Sequence, residues 1–460
     1  MSQQLPIALL DSLQTVKGFN EDEFVQVHAS GEQITSIRIN PHKVFSIQHS
    51  MFNIQGEVPW SSNGHYLSER PSFTADPLFH AGAYYVQEAS SMFLEEAIKQ
   101  TCDLSMSLKM LDLCAAPGGK STLLQSIISK ESLLVSNEVI KTRVNILSEN
   151  ITKWGADNVV VTNNDPKDFQ RLPGYFDVIV IDAPCSGSGL FRKDPGAIAE
   201  WSNDNVMMCS QRQQRILADI LPSLKPDGIL IYSTCSYSGE EDEFICDWLL
   251  SEAPDHLSST RLQTKEAWQI IETNSQKHNA WGYRFYPDKL RGEGFFIAAF
   301  RKESVDHVSR EIKFKNKPVL VSIAERQLLN PLVKTADSIS FFKWKEDIIA
   351  VPANLLNEVF ILQSVLYLKK AAVKIGSIIR NELIPDHEFA LSNLATEELM
   401  SIEVDLPTAL QYLRRSHILL ETNYTGWVLL KYQNLALGWI KILPNRINNY
   451  YPKDWRILNK

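Results

Sequence analysis

Phe176-Asp177-Val178-Ile179-Val180-Ile181-Asp182-Ala183-Pro184-Cys185 decides the fold. A nearly unbroken apolar, β-branched run stops at a proline and small residues, the pattern of a short strand buried on both faces. Gly228-Ile229-Leu230-Ile231-Tyr232-Ser233-Thr234-Cys235 repeats that design downstream. Such strands belong to parallel sheets covered by helices. Working outward, residues 108–114, 133–137 and 159–162 read as strands, and 295–300 as a late one. Residues 120–128, 141–150, 211–224 and 240–250 read as helices. Strands alternating with helices predict an α/β fold built on a doubly wound parallel sheet.

Open α/β sheets bind ligands at the carboxyl ends of their strands. Cys185 and Cys235 would therefore share one ligand-binding edge. Two thiols there suit transient covalent activation of a pyrimidine ring. The first strand exits into Asp112-Leu113-Cys114-Ala115-Ala116-Pro117-Gly118-Gly119-Lys120-Ser121. The small residues Cys114, Ala115, Ala116, Pro117, Gly118 and Gly119 let the backbone approach a ligand, and a helix with free N–H groups starts at Lys120. The dinucleotide motif G-x-G-x-x-G is absent, which argues against NAD. A phosphate-binding loop fails because Cys114 stands where its first glycine would be. Glu138 ends the second strand and suits a ribose hydroxyl pair. Asp165, past the third strand, can reach an adenine amino group. In this order the three features predict a nucleoside cofactor.

Composition bounds the rest. The chain has 460 residues, 44% hydrophobic and 22% charged, enough for several domains with real cores. No apolar run is long enough to span a membrane. Six cysteines without a Cys-x-x-Cys spacing predict reduced thiols and a cytoplasmic protein. Cys102, Cys209 and Cys246 read as core residues, and Cys114 as packing in its loop. Pro184-Cys185-Ser186-Gly187 lacks the second cysteine of the zinc deaminases, so no metal is expected. Asp386-His387-Glu388 reads as surface charge. Net charge is −8, yet residues 407–460 hold eight lysines and arginines against Glu421 and Asp454. That positive tail, interleaved with Trp427, Trp439, Tyr450, Tyr451 and Trp455, suits RNA through phosphate contacts and stacking. The same aromatics also suit the core of a small β-barrel.

Four domains follow from these patterns: 1–104, a small α+β region; 105–302, the doubly wound core; 303–385, a charged linker at 302–317 and then a helix-and-strand stretch at 354–372; and 386–460, the basic β-rich tail.

Several of these motifs resemble one family. Asp112–Ser121, Asp182–Gly187, and Tyr232-Ser233-Thr234-Cys235-Ser236-Tyr237 with Ser238-Gly239-Glu240-Glu241-Asp242-Glu243 are similar to motifs of the Nop/Sun (NSUN) RNA cytosine-5 methyltransferases. So are Gly82-Ala83-Tyr84-Tyr85-Val86-Gln87-Glu88 upstream, and Arg284-Phe285-Tyr286-Pro287 and Gly292-Glu293-Gly294-Phe295-Phe296 downstream. Gly438-Trp439-Ile440-Lys441 and residues 445–455 resemble the PUA-like end carried by bacterial ribosomal RNA members.

The resemblance implies a Rossmann-like S-adenosylmethionine methyltransferase core with a PUA-like C-terminal domain. Its implied substrate is RNA, most directly ribosomal RNA or a ribosomal subunit, and its implied state a monomer. Transfer RNA, or an idle role in ribosome assembly, are the alternatives. The two strand-end motifs by themselves leave open which thiol attacks. The resemblance implies Cys235 as nucleophile, Cys185 as the group for product release, and Asp182 as a hydrogen-bonding partner of the cytosine edge and the cofactor. Lys120 falls at the lysine of the first motif, near substrate or Asp182. Tyr84 and Gln87 are expected to pack against the site.

Overall fold

The computed structural model describes residues 4–45, 52–252, 257–303 and 319–458. The expected linker at 302–317 lies almost wholly outside the described residues. A ten-stranded sheet forms the centre. From one edge its strands are Ile271–Asn274, Trp281–Phe285, Phe295–Lys302, Leu224–Thr234, Phe176–Asp182, Lys109–Asp112, Leu133–Asn137, Val159–Thr162 and Leu368–Ala371, with Leu257–Thr260 paired to Phe295–Lys302. The five from Leu224–Thr234 to Val159–Thr162 are parallel. Chain order reverses between Lys109–Asp112 and Phe176–Asp182, so the crevice at their carboxyl ends is the switch point of the sheet.

Burial explains the strands. Val178, Ile179, Val180 and Ile181 are all buried, and alternate residues feed two apolar clusters, one on each face. The helix expected at 211–224 is Asn203–Ile220 instead. Ser202 caps it by accepting from the Asn205 N–H at 3.1 Å. Its polar first turn, Asn203-Asp204-Asn205, hides the start, and Leu224 already opens the next strand. The helix expected at 240–250 is Glu243–Glu252.

Three four-stranded sheets surround this core. The N-terminal one joins Ile54–Glu57, Gly64–Leu67, Thr35–Ile39 and Tyr84–Val86. The second joins Ile339–Trp344, Asp347–Pro352, Val373–Ile379 and Glu382–Pro385. The third, at the C-terminus, joins Ser401–Glu403, Gly426–Tyr432, Leu435–Leu443 and Arg446–Asn449. Helix Leu356–Val365 and strand Leu368–Ala371 fall within the helix-and-strand stretch, and that strand extends the central sheet antiparallel to Val159–Thr162.

The two ends of the chain share one core. Ile37, Leu78 and Tyr84 pack in the same apolar cluster as Tyr412, Leu430 and Tyr451. Lys43 Nζ is buried and donates to the carbonyls of Lys153 (2.8 Å) and Leu391 (3.0 Å), and to that of Ala81. One ammonium thus ties the N-terminal region, the central domain and the C-terminal region.

The Asp386-His387-Glu388 cluster is not loose surface charge. Asp386 caps its helix through the Glu388 N–H at 3.0 Å and pairs with Lys374 at 3.1 Å. Glu388 pairs with the buried Lys370, and the His387 ring lies against Tyr451 and Trp455. Among the described residues no helix is long and apolar enough to cross a membrane.

Candidate active site

The site is built where two parallel strands stop together. Asp182 lies opposite Ser233 in register, so the Pro-Cys and Thr-Cys loops leave the sheet side by side. Cys185 Sγ and Cys235 Sγ are 3.0 Å apart, and both are free thiols. The contact with Cys235, burial, and the nearby Glu241 and Asp182 carboxylates push the Cys185 thiol well above its usual range.

A cleft of about 240 Å³ opens beside them. Its walls include Cys114, Ala115, Ala116, Pro117, Gly119, Lys120, Asp182 and Cys235. Across it stand Tyr85, Gln87 and Phe295. Lys120 Nζ pairs with Asp182 Oδ2 at 2.8 Å, while Ser233 Oγ donates to Asp182 Oδ1 at 3.0 Å. Burial opposes charge on Lys120, but Asp182 and Asp112 outweigh it and hold its pKa above the ordinary value.

The small-residue loop is fixed from both sides. The Leu113 N–H donates to the Val180 carbonyl at 3.0 Å, and the Ala115 N–H to that of Asn137 at 2.8 Å. Gly118 has φ +115°, a left-handed conformation that favours glycine, and the helix Gly119–Ile127 follows directly. Its first N–H groups have no partner within the helix. Arg38, buried in the N-terminal sheet, donates to Thr122 Oγ1 (2.6 Å), the Gly119 carbonyl (3.3 Å) and Gln87 Oε1 (2.9 Å). Gln87 is thus both wall and brace. Tyr84 is buried behind the cleft and donates to Asp76 Oδ2 at 2.7 Å.

Glu138 ends its strand buried, accepting from the Ile140 N–H at 2.9 Å and facing Arg143 Nη1 at 3.4 Å. Arg143 also donates to the Ala116 carbonyl at 2.7 Å, which links the acid to the loop. Asp165 is differently engaged. It caps the short helix Pro166–Arg171 through the Lys167 N–H at 3.1 Å and lies 3.5 Å from Arg215. Glu138 and Asp165 both stand at the carboxyl edge of the sheet but outside the walls of the cleft.

Asp112 ends the first parallel strand fully buried. Its Oδ2 accepts from Ser121 Oγ at 2.7 Å, and its Oδ1 has no partner. Burial pushes its carboxyl up to about 7, against the pull of Ser121 and Lys120. The folded chain therefore holds this proton more tightly than the unfolded chain does. Unfolding releases it, and stability falls as pH rises from the ordinary carboxylate range to about 7. Asp112→Asn should flatten the melting temperature against pH across that window. An unaltered profile would show that the carboxyl is not held protonated.

Sequence reasoning named Glu241, Asp242 and Glu243 only as part of a motif. In the fold, Glu241 accepts from Ser186 and Ser236, which directly follow the two cysteines. Asp242 accepts from Thr234 Oγ1 at 2.7 Å and pairs with the buried Arg284 at 3.1 Å. Arg284 also binds Glu243, and donates to the Tyr237 carbonyl at 2.8 Å. A run of acids starting five residues after a strand-end cysteine is a signal that could have been read. Cys209 and Cys246 are buried in the interior, and Cys114 packs on the core while lining the cleft. Among the described residues no group of three or more side chains could hold a metal ion.

The donor set suits a nucleoside-bearing sulfonium. Small residues leave room at the switch point, unpaired N–H groups start the following helix, and the carboxylates of Asp182 and Glu138 stand at the strand ends. A doubly wound sheet with this loop places the chain in the Rossmann-like class of S-adenosylmethionine-dependent methyltransferases.

Comparison with known proteins narrows the class. Residues 101–301 match the family 16S rRNA methyltransferase RsmB/F. Residues 5–89 match the N-terminal domain of 16S rRNA methyltransferase RsmF, and residues 400–457 the methyltransferase RsmF PUA domain. The ribosomal RNA small subunit methyltransferase F of Aeromonas salmonicida is 31% identical over 91% of this chain and 90% of that protein. Its namesake from Vibrio vulnificus is 27% identical over 98% and 97%. A methyltransferase homolog from Pyrococcus horikoshii of known structure is 30% identical, with a TM-score of 0.51 over 65% of this chain and all of the other. The crystal structure of NSun6 from Pyrococcus horikoshii with SFG shares the fold, at 19% identity and a TM-score of 0.54 over 65% of this chain and 99% of that one. The chain belongs to the RsmB/F family of 16S rRNA methyltransferases.

Proposed function

We propose that this protein methylates C5 of a cytosine in small-subunit ribosomal RNA through a covalent adduct at Cys235. The observation that carries the reading is the pair of thiols 3.0 Å apart, with Cys235 on the wall of the cleft. Cytosine C5 is a poor nucleophile. Addition of the Cys235 thiolate at C6 makes C5 electron-rich, dividing one hard step into easier ones. S-adenosylmethionine, when bound, supplies an electrophilic methyl group. Loss of the C5 proton and expulsion of Cys235 restore aromaticity. Cys185, its sulfur 3.0 Å from that of Cys235, is the group proposed to serve release. Asp182, braced by Lys120 and Ser233, presents a fixed acceptor to the base or the cofactor's amino group.

Relatives named for small-subunit ribosomal RNA support that substrate over transfer RNA. Bisulfite sequencing of RNA from a strain lacking this gene, beside its parent, tests the reading. A cytosine in 16S rRNA should lose its resistance to conversion. Loss confined to transfer RNA would move the substrate, and no loss anywhere would remove the activity.

Glu138 and Asp165 are proposed to hold the ribose and adenine of the cofactor. Glu138→Ala should weaken S-adenosylmethionine binding by about 1–3 kcal/mol, the cost of one lost hydrogen-bond partner. Asp165→Ala should cost less, because Asp165 already caps a helix and faces Arg215. Calorimetric affinities unchanged in both variants would exclude the assignment.

The C-terminal tail is proposed to grip RNA. Trp439 and Tyr451 are core residues, whereas Trp427 meets Tyr450 near the surface with Lys441 above its ring. Arg414, Arg446, Lys453 and Arg456 are exposed. Deleting residues 386–460 would uncover the core shared with the N-terminal sheet, so neutralising these four side chains is the cleaner test. Their glutamine variants should bind RNA more weakly. The slope of log affinity against log salt should become shallower by about 0.7 for each single-strand phosphate that is no longer neutralised. An unchanged slope would make the tail a solvated surface only.

A further inference from the structure

Each of the two thiols is followed by a serine, and both hydroxyls end on one carboxylate. Ser186 Oγ donates to Glu241 Oε2 at 2.5 Å, and Ser236 Oγ donates to the same oxygen at 2.7 Å. The Ser186 N–H donates to Oε1 at 2.8 Å, joined there by Gln213 Nε2 at 3.2 Å. Gln213 also donates to the Pro184 carbonyl at 3.0 Å, bracing the Pro-Cys loop from behind. Tyr232, in the strand leading to Cys235, donates to the Glu241 carbonyl at 2.6 Å. Glu241 and Gln213 are fully buried.

Burial is costly for an ionised carboxylate. Among the described residues Glu241 forms no ion pair within 4.0 Å; hydrogen bonds alone compensate it. Burial raises its pKa, and the serines and Gln213 pull it back. A lone structural hydrogen bond would not require such a group. Backbone bonds join the two loops at their ends, from the Ala183 N–H to the Ser233 carbonyl (2.8 Å) and from the Gly189 N–H to the Cys235 carbonyl (2.9 Å). A carboxylate can accept from several donors at once, so Glu241 adds a link between them at the serines that follow the thiols.

We propose that Glu241 is a positioning residue for the thiol pair. Its carboxylate clamps the Cys185-Ser186 and Cys235-Ser236 turns together and sets the separation of the two sulfurs. The proposal rests on the reading that both thiols act on one substrate. It adds the device that holds the attacking and releasing groups within one bond-making distance of each other. Glu241 lies outside the walls of the cleft, so it acts through Ser186 and Ser236.

The test reads sulfur geometry directly. The full-length protein is treated with the thiol oxidant diamide, and the Cys185–Cys235 disulfide is followed by non-reducing peptide mass spectrometry. Glu241→Gln should slow its formation about tenfold or more, because small misplacements of reacting groups carry large rate penalties. The kcat for methyl transfer should fall while S-adenosylmethionine affinity stays as it was. Ser186→Ala with Ser236→Ala should reproduce the slowing, and adding Glu241→Gln to that pair should slow it little further, since all three changes break one clamp. If Glu241→Gln does not fold, the serine pair carries the test. Disulfide formation at the parental rate in the folded variants overturns the proposal. Slowed closure in a protein whose Cys235→Ala variant still methylates RNA would leave the clamp standing and refute the covalent function.

Discussion

Cys235→Ala protein should transfer no methyl group and form no covalent complex with RNA, whereas Cys185→Ala should accumulate such a complex. The two sulfurs stand 3.0 Å apart, and the proposed covalent path assigns them to separate steps. Without Cys235 nothing adds to C6, C5 stays inert, and the loss is that of the whole covalent path. Without Cys185, addition and methylation still proceed, and the adduct lacks its release group. The Cys185 variant should therefore show a protein–RNA band that survives denaturing electrophoresis and migrates slower than the protein alone. An adduct trapped in Cys235→Ala would exchange the two roles. Full activity in both variants would end the covalent mechanism.

Arg284→Leu should be the most destabilising substitution near the site. Arg284 is 1% exposed, and its guanidinium serves Asp242, Glu243 and the Tyr237 carbonyl. Burial alone would disfavour its charge, but Glu243 and Asp242 hold its pKa well above the ordinary value. Removing one partner of a buried pair strands the other, at a cost of about 3–5 kcal/mol. Urea denaturation should show the midpoint displaced accordingly. The stranded acids would then bind protons more tightly folded than unfolded, so the deficit should shrink as pH is lowered. A deficit that stays constant with pH would mean the loss is one of packing. The neighbouring Thr234–Asp242 bond makes the effect felt at Cys235 as well.

Much of this was legible in the sequence, for identifiable reasons. Strands Leu133–Asn137, Val159–Thr162 and Phe176–Asp182 are short and mostly apolar, rich in β-branched residues and followed by turn residues, which favours buried strands over helices. The loop 114–119 announced itself because close backbone approach needs small side chains. Strand Ile271–Asn274, by contrast, alternates too briefly and too polarly to stand out, and becomes a strand only by pairing with Trp281–Phe285. Asp165 read as an adenine ligand, although Asp165-Pro166-Lys167-Asp168 carries the residue types of a helix cap, which is how the fold engages it. Glu241 was legible only as one of a run of acids after Cys235; two of its donors, Ser186 and Gln213, are brought near by the fold alone. The tail's aromatics divided between core and surface for the same reason: composition carries both possibilities, and docking against Tyr84 and Leu78 chooses.

The core shared by the two ends of the chain has one more effect. With Ile37 and Leu78 packed among Tyr412 and Tyr451, and Lys43 fastened to carbonyls of three regions, the basic tail is packed directly against the rest of the chain. It stands at a set span from Cys235. An RNA gripped by such a tail presents to the thiols whichever nucleotide lies that span away. If the proposed function holds, the protein would choose its cytosine as a caliper does, by distance from an anchoring point, with little need to read the bases around it.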